Sequence, residues 1–401
     1  LAMNGLDMDK AYRGNQYLFE TITVDRPVFK LRNNSKDSVE FNPYKLNLYP
    51  YFESFADVFY ANKLMVKSAS VSILQGTNTK FQQIMDMSLS KIRIDNKPST
   101  GFLHAQDFSF KIRHWSRQEK FYQYKIAELG YSSARNVFTA KNVSIEPRYN
   151  KYDFSGKISY QTDHFSGKID SVSMQQLQLT RWFDQKEITG KSIVVDGLDL
   201  KIYRDKRKPF DEKRRTKMLQ EMIKSISYPI SVDSVAFSGA KIEYSERTPT
   251  SDGEGIIRFT DVQARLKPFS NIKSTTGKYQ DLSLTGNFSI MDTSRASVSM
   301  NYLMNQAANS FTAKGNLSQF NMHILNPVLE PLARVSIRSW NVNQFNFDFA
   351  ANNTQATGNL FFGYDNLKIS VLEMKDGNTK EARFASFLAN SLLLRGKNPR
   401  G

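Results

Sequence analysis

Apolar and polar residues alternate with a period of two along most of the chain, which is typical of β-strands that bury one face. Val, Ile, Phe and Tyr, the residues that suit a pleated surface, dominate these stretches. The pattern predicts strands at residues 22–31, 66–74, 92–94, 108–112, 143–145, 172–179, 193–203, 235–244, 282–290, 298–303, 342–349 and 360–364. The chain is therefore predicted to be mainly β.

Three segments depart from this pattern and carry apolar residues at helical spacing, namely 211–227, 326–334 and 379–394. Pro327 and Pro331 limit the second of them to a turn or two. None of the three separates strands in the regular alternation that a parallel, doubly wound sheet requires. We therefore predict a mostly antiparallel sheet with a few short amphipathic helices.

One strand phrase recurs along the chain, with apolar residues alternating around an aspartate. It occurs at 22–31, 193–203 and 230–244. Repetition of one supersecondary unit favours an elongated stack, in which each unit buries its apolar face against its neighbours. The alternative is that the phrases are similar only because every twisted meander needs the same turn residues.

Composition narrows the possible partners and chemistry. The 401 residues are about twice the usual length of one domain, and the net charge of +16 favours a polyanionic partner, either nucleic acid or an anionic membrane face. The absence of cysteine excludes disulfides, thiolate metal sites and a cysteine nucleophile. The longest apolar stretch, 387–394, is far too short to span a bilayer. We expect any export signal or membrane anchor to lie upstream of residue 1.

Signals for catalysis are weak. The four histidines are scattered without a second ligand at metal-binding spacing. Gly190-Lys191-Ser192 is similar to the end of a phosphate-binding loop, but Gln185 stands where that loop needs its first glycine. The chain contains no nucleophile elbow and no paired-carboxylate pattern. We predict a protein that is not an enzyme and holds no metal or cofactor.

The last 180 or so residues carry several phrases in a specific order. These are Leu325-Asn326-Pro327, a strand that ends at Trp340, the alternating Phe345, Phe347 and Phe349, the turn at 356–358 and the stretch 364–368. The segment 232–246 and the tail phrases 387–390 and 398–399 belong to the same set. Together they resemble the C-terminal module of the AsmA-like family of bacterial envelope proteins, which is related to TamB-type proteins.

The resemblance implies a long, twisted, mostly antiparallel sheet that is curled into an apolar groove. Residues 1–190 would form an N-terminal β-repeat part of the groove, and residues 191–401 the AsmA-like module. It further implies a periplasmic protein anchored in the inner membrane by an N-terminal helix. Its partners would be phospholipid or a membrane surface, with outer-membrane assembly proteins as further candidates. The oligomeric state is left open.

The candidate groove wall consists of apolar residues on two neighbouring strands. It comprises Phe345, Phe347, Phe349, Leu360, Phe362 and Tyr364. A sheet face without a covering partner leaves a trough that acyl chains can fill, and burial of each methylene contributes about 0.8 kcal/mol. The alternative is that these six residues form the ordinary core of a closed sandwich, because the period-two pattern is the same in both cases.

A strongly basic stretch precedes the first predicted helix. Residues 201–217 contain nine basic and three acidic residues, a net charge of +6. The candidates for anionic head-group contact are Lys206, Arg207, Lys208, Lys213, Arg214 and Arg215. A basic residue near an anionic surface contributes about 1 kcal/mol. The alternative is an ordinary solvated loop.

Two functions from different classes follow. The first is a non-enzymatic periplasmic protein that holds or conducts phospholipid acyl chains and contributes to outer-membrane biogenesis or lipid homeostasis. The second is a secreted structural or adhesive β-protein that binds glycan or protein, with a closed core and no lipid. Nucleic-acid binding is disfavoured, because the sequence has no recognised nucleic-acid-binding motif.

Overall fold

The computed structural model describes residues 1–33, 42–75, 78–98, 101–375, 378–388 and 398. The strands are β1 Ala2–Asn4, β2 Gln16–Asp25, β3 Val28–Asn33, β4 Val58–Gln75, β5 Asn78–Ile94, β6 Asp107–Gln118, β7 Tyr122–Ser132, β8 Val137–Pro147, β9 Asp163–Gln175, β10 Ile188–Asp196, β11 Asp199–Asp205, β12 Ile230–Arg247, β13 Gly255–Lys267, β14 Phe269–Ser270, β15 Leu282–Ile290, β16 Ser294–Tyr302, β17 Phe311–Leu317, β18 Phe320–Asn321, β19 Val335–Ala351, β20 Ala356–Lys375 and β21 Asn378–Glu381.

The helices are short. They are α1 Met8–Gly14, α2 Lys151–Gly156, α3 Leu179–Gln185, α4 Leu219–Lys224, α5 Asn326–Ala333 and α6 Arg383–Leu388, with 3-10 turns at Tyr49–Tyr51, Phe102–His104 and Met322–Leu325. Within the described part of the chain, none of the helices could span a bilayer. The prediction of a mainly β protein with a few short helices is confirmed, and the strands form a mixed sheet.

Most strand pairs are antiparallel. The parallel exceptions include β2 with β4, β3 with β4, and β11 with β12. The helix predicted at 326–334 is confirmed as α5.

The helix predicted at 211–227 is wrong over most of its length, because only Leu219–Lys224 is helical. The backbone N–H of Met218 donates to the side chain of Glu221, which fixes the helix start at residue 219. Ahead of that start, Lys213 and Arg214 would each lie one helical turn from Lys217, and like charges at that spacing disfavour a helix.

The helix predicted at 379–394 is also wrong at its start, because residues 378–381 form β21 and α6 begins only at Arg383. Pairing of Leu372 with Glu381 and of Glu373 with Lys380 holds this stretch extended. Residues 389–394 lie outside the described part of the chain.

The recurring strand phrase forms two short strands with a kink between them in two of its three copies. The continuous strands predicted at 22–31 and 193–203 are therefore wrong. The first is broken after Asp25 and the second after Asp196. Arg26 and Gly197, the residues that follow, have φ of 49° and 65°. Backbone in this left-handed region turns the chain, so each phrase bends the sheet at its midpoint.

The two kinks are built from equivalent hydrogen bonds. Arg26 N–H donates to the carbonyl of Lys67 at 2.8 Å, beside Ser68, whose φ is 50°. Gly197 N–H donates to the carbonyl of Ser238 at 3.0 Å, beside Gly239, whose φ is 61°. In both copies the residue that accepts the hydrogen bond lies the same number of positions after the residue that donates it. The internal repeat predicted from sequence is therefore also a repeat of backbone geometry at these positions.

The chain divides into two compact units. Unit 1 comprises residues 1–116, 125–142 and 173–191, and unit 2 comprises residues 117–124, 143–172 and 192–401. In unit 1 the apolar side of the sheet carries a closed core of Phe19, Ile22, Ala61, Leu89, Ile92, Ile94, Ala105, Phe108 and Tyr131. Side chains from the connection between β3 and β4, among them Tyr44, Leu48, Tyr49 and Phe52, pack against this core.

Candidate functional site

A continuous row of aromatic rings lies on one side of the sheet of unit 2. Successive ring centroids are 5.3 to 6.3 Å apart along Tyr302, Phe311, Phe349, Phe347, Phe345, Phe362 and Tyr364. We call this row the aromatic ladder. Ring pairs at such distances stabilise one another beyond their buried area. Five of the six predicted groove-wall residues belong to the ladder.

Strand register extends this apolar side across seven strands. Phe345 faces Phe362, and Phe347 faces Leu360, because β19 and β20 pair antiparallel. Directly paired residues share one side of a sheet. The resulting apolar face comprises the aromatic ladder with Val235, Phe237, Ala264, Leu266, Leu284, Gly286, Phe288, Ala296, Val298, Met300, Ala313, Gly315, Leu317 and Leu360.

The opposite face of the same strands is polar and exposed. One transverse row runs through Arg265, Thr285, Ser299, Lys314, Asp348 and Asn359, and every member is exposed. The sheet of unit 2 is therefore amphipathic, with one hydrated side and one apolar side.

The apolar face is only partly shielded from solvent where it crosses β19 and β20. Leu360 is 64% exposed, and the other five predicted wall residues are half-buried. Phe345, Phe347, Phe349 and Leu360 line a solvent-open cavity of about 430 Å³. The structure thus brings all six predicted residues to one surface that differs from a dry sandwich core.

Gly315 allows Phe347 to lie flat across the neighbouring strand. A Cβ atom at Gly315 would overlap the Phe347 ring and would approach the carbonyl oxygen of Ser297 to 2.7 Å. Glycine at this position keeps the centre of the apolar face shallow and continuous.

In unit 2 a basic segment runs from one end of the strands to the opposite end. We call residues 206–218 the strap. At its start the Lys206 N–H donates to the carbonyl of Arg247, the last residue of β12. Near its end Arg215 contacts the side chain of Asn353, which follows β19 at the end of the sheet where β12 begins.

The strap requires the sheet to bend. From Lys206 to Arg215 the chain spans at most roughly 32 Å. A straight strand of 18 residues, the length of β12, would measure roughly 56 Å. The two ends of the strands must therefore approach each other. We call the apolar face of this bent sheet the trough.

Each of the two kinked phrases is followed by a connection to the next long strand, and the two connections differ in composition. In unit 1 the residues between β3 and β4 include Tyr44, Tyr49 and Phe52, and they pack as a cover on the core. In unit 2 the connection between β11 and β12 contains the strap, in which residues 212–217 are all exposed and five of the six are charged. The strap therefore supplies no aromatic cover like the one in unit 1.

The strap is fixed at its start by a buried carboxylate. Asp205 is 4% exposed and accepts hydrogen bonds from Arg207 Nη2 at 2.7 Å and from Ser155 Oγ at 2.5 Å. The Arg207 guanidinium is the main reason that the pKa of Asp205 lies well below its usual range. Gln161 also holds the strap by donating to the carbonyl of Lys208 at 3.1 Å.

At its other end the strap is joined to α4. Arg215 Nη1 donates to Glu221 Oε2 at 3.0 Å. Gln220, fully buried, donates to the carbonyls of Asn309 at 2.9 Å and Ser310 at 3.1 Å. These contacts dock α4 against the loop between β16 and β17.

The six basic residues predicted to contact head groups separate into two sets. Lys206, Arg207 and Arg215 form ion pairs with Glu246, Asp205 and Glu221. Lys208, Lys213 and Arg214 have no ion-pair partner among the residues that the structure describes, and Lys213 and Arg214 are exposed. Only the second set is available to an anionic ligand without breaking an existing pair.

We expect the Arg215–Glu221 contact to be acid-sensitive. Arg215 lowers the pKa of Glu221 to about 2, below the value near 4.3 of an unfolded chain. A lowered folded-state pKa gives stability that is present above the unfolded value and lost as the pH falls towards 2. Wild type and Glu221→Gln should therefore differ in melting temperature at pH 7 and converge near pH 2. A difference that persists unchanged at pH 2 would contradict this.

Sequence reasoning missed several members of the apolar face. Phe311, Ala313 and Leu317 lie on β17, and Ala264 and Leu266 on β13, two strands that were not predicted. Phe311, Ala313, Gly315 and Leu317 do alternate with polar residues, so the signal was present although short.

Comparison with known proteins adds no family assignment. No protein-family model and no curated protein sequence matches the chain.

Proposed function

We propose that the trough of unit 2 binds the acyl chains of phospholipids. The observation that carries this proposal is the partly exposed aromatic ladder on a continuous apolar face, beside a strap that supplies no aromatic cover like the one in unit 1. Exposed contiguous apolar surface of this kind is unfavourable in water and is stabilised by an apolar ligand.

The chemistry of the proposed function is binding alone. Among the described residues no cluster of three His, Cys, Asp or Glu side chains is arranged to hold a metal ion. We propose a non-enzymatic protein of the AsmA-like type that holds or conducts phospholipid in the periplasm and contributes to outer-membrane biogenesis. Outer-membrane assembly proteins are candidate partners in the same proposal.

Lipid recovery from the purified protein tests the proposal directly. We expect native mass spectrometry, with lipid extraction in parallel, to recover phospholipid from protein purified without added lipid. Delipidated protein should also take up a fluorescent phospholipid. Failure in both measurements would contradict the proposal.

The competing function, a structural or adhesive β-protein with a closed core, fits unit 1 taken by itself. It predicts that no lipid is recovered and that the protein binds a glycan or protein ligand through its strand edges. The same recovery experiment therefore separates the two functions.

A further inference from the structure

The segment around α4 exposes large apolar side chains beside lysines. Met222 is 49%, Ile226 37% and Tyr228 52% exposed. Isolated exposed apolar residues are common, but three within seven positions of one short segment form a patch.

Neighbouring loops bring these residues and two lysines to one local surface. The Asn271 side-chain amide donates to the carbonyls of Ile226 at 3.2 Å and Tyr228 at 3.0 Å. Lys224 and Lys273 both lie over the ring of Tyr279, at 5.2 and 5.4 Å from its centroid. We call Met222, Lys224, Ile226, Tyr228 and Lys273 the α4 surface.

Two carboxylates near the α4 surface are already engaged. Glu221 is paired with Arg215, and Asp281 accepts a hydrogen bond from the N–H of Met304. The exposed Lys213, Arg214 and Lys217 of the strap precede α4 directly, with Asp211 and Glu212 as the acidic residues of that segment. The local charge is therefore positive, which complements an anionic surface.

We propose that the α4 surface docks on an anionic phospholipid bilayer. The apolar side chains enter the boundary between head groups and acyl chains, while the lysines contact lipid phosphates, as in interfacial amphipathic segments. This docking role rests on the proposed function, because a trough that binds phospholipid needs access to a bilayer. α4 lies at the end of the strands where β12 begins. Docking there brings the trough close to the bilayer that supplies its lipid.

Vesicle sedimentation tests this docking. The full chain is mixed with vesicles of phosphatidylcholine alone or vesicles that contain phosphatidylglycerol. We expect binding to the phosphatidylglycerol vesicles, and we expect it to weaken as salt shortens the Debye length from about 10 Å at 0.1 M. Equal binding to both vesicle types, or binding to neither, would overturn the proposal.

Variants identify the surface involved. Lys224→Glu with Lys273→Glu should weaken binding to phosphatidylglycerol vesicles by at least about 25-fold, since each lysine contributes about fivefold. Met222→Asp with Ile226→Asp should abolish it. Lys168→Glu with Lys241→Glu is the control, because both residues are exposed in unit 2 and give the same charge change. An equal loss in the control would overturn the proposal.

Failure of docking and failure of acyl-chain binding are separable. Phe347→Asp alters the trough and leaves the α4 surface intact, so it should abolish lipid loading while vesicle binding persists. The α4 variants should bind vesicles weakly yet still take up monomeric short-chain phospholipid from solution. If those variants lost monomeric uptake to the same extent as vesicle binding, the separate docking role would be refuted.

Discussion

Phe347→Asp is expected to reduce the phospholipid recovered per mole of purified protein by at least about tenfold. Phe347 lies at the centre of the aromatic ladder, between Phe345 and Phe349 and opposite Gly315 and Leu360. A carboxylate there places charge against acyl chains, and an unpaired charge in an apolar medium costs several kcal/mol. Lipid extraction followed by mass spectrometry measures the effect.

Ser299→Asp is the matched control for this substitution. Ser299 lies on the exposed polar face opposite Lys314, so the same carboxylate has a favourable neighbour and does not reach the trough. Because Phe347 is only half-buried, the variant should keep the circular dichroism spectrum of the wild type. Unchanged lipid recovery from folded Phe347→Asp, or an equal loss from Ser299→Asp, would refute acyl-chain binding at this surface.

Asp205→Ala is expected to lower the free energy of unfolding by about 2 to 3 kcal/mol at pH 7. The buried carboxylate accepts charge-assisted hydrogen bonds, which contribute about 1.5–3 kcal/mol each. The Arg207 side chain is 40% exposed, so water compensates its charge once the carboxylate is removed. The buried Ser155 hydroxyl also loses its acceptor. Urea denaturation measures the change.

The control for Asp205→Ala is Asp348→Ala. Asp348 pairs with Lys314 at 2.9 Å, but the two side chains are 55% and 69% exposed. Exposed pairs of this kind contribute about 1 kcal/mol or less. Similar losses in the two variants would show that the Asp205 network does not anchor the strap. Strap release should also make residues 206–218 more sensitive to limited proteolysis in Asp205→Ala alone.

The alternation of apolar residues was sufficient to predict the groove wall as a surface. Phe345, Phe347 and Phe349 are two positions apart, as are Leu360, Phe362 and Tyr364, so each trio must share one side of its strand. Whether that side was covered depended on other parts of the chain. The cover in unit 1 comes from Tyr44, Tyr49 and Phe52, which lie in a segment without a periodic pattern. Periodicity therefore could not predict that these residues pack on the core.

The helical stripe in 211–227 misled for a different reason. Met218 and Met222 are spaced as in a helix. The Glu221 side chain, however, accepts hydrogen bonds from Arg215 and from the Met218 N–H, and these contacts fix the start of the helix at Leu219. The partner of Lys206 is Glu246, 40 positions away in sequence. Ion pairs over such separations depend on the tertiary fold, so charge counting overestimated the number of basic residues available to a ligand.

The twin kinks at Arg26 and Gly197 show that one bend can be made by chemically unrelated residues, provided that the hydrogen bonds recur. A gene that duplicated the block around such a bend would lengthen its product by roughly 5 Å for every added strand. The bend would recur in the added block, because it depends on backbone hydrogen bonds and not on the side chain at the kink.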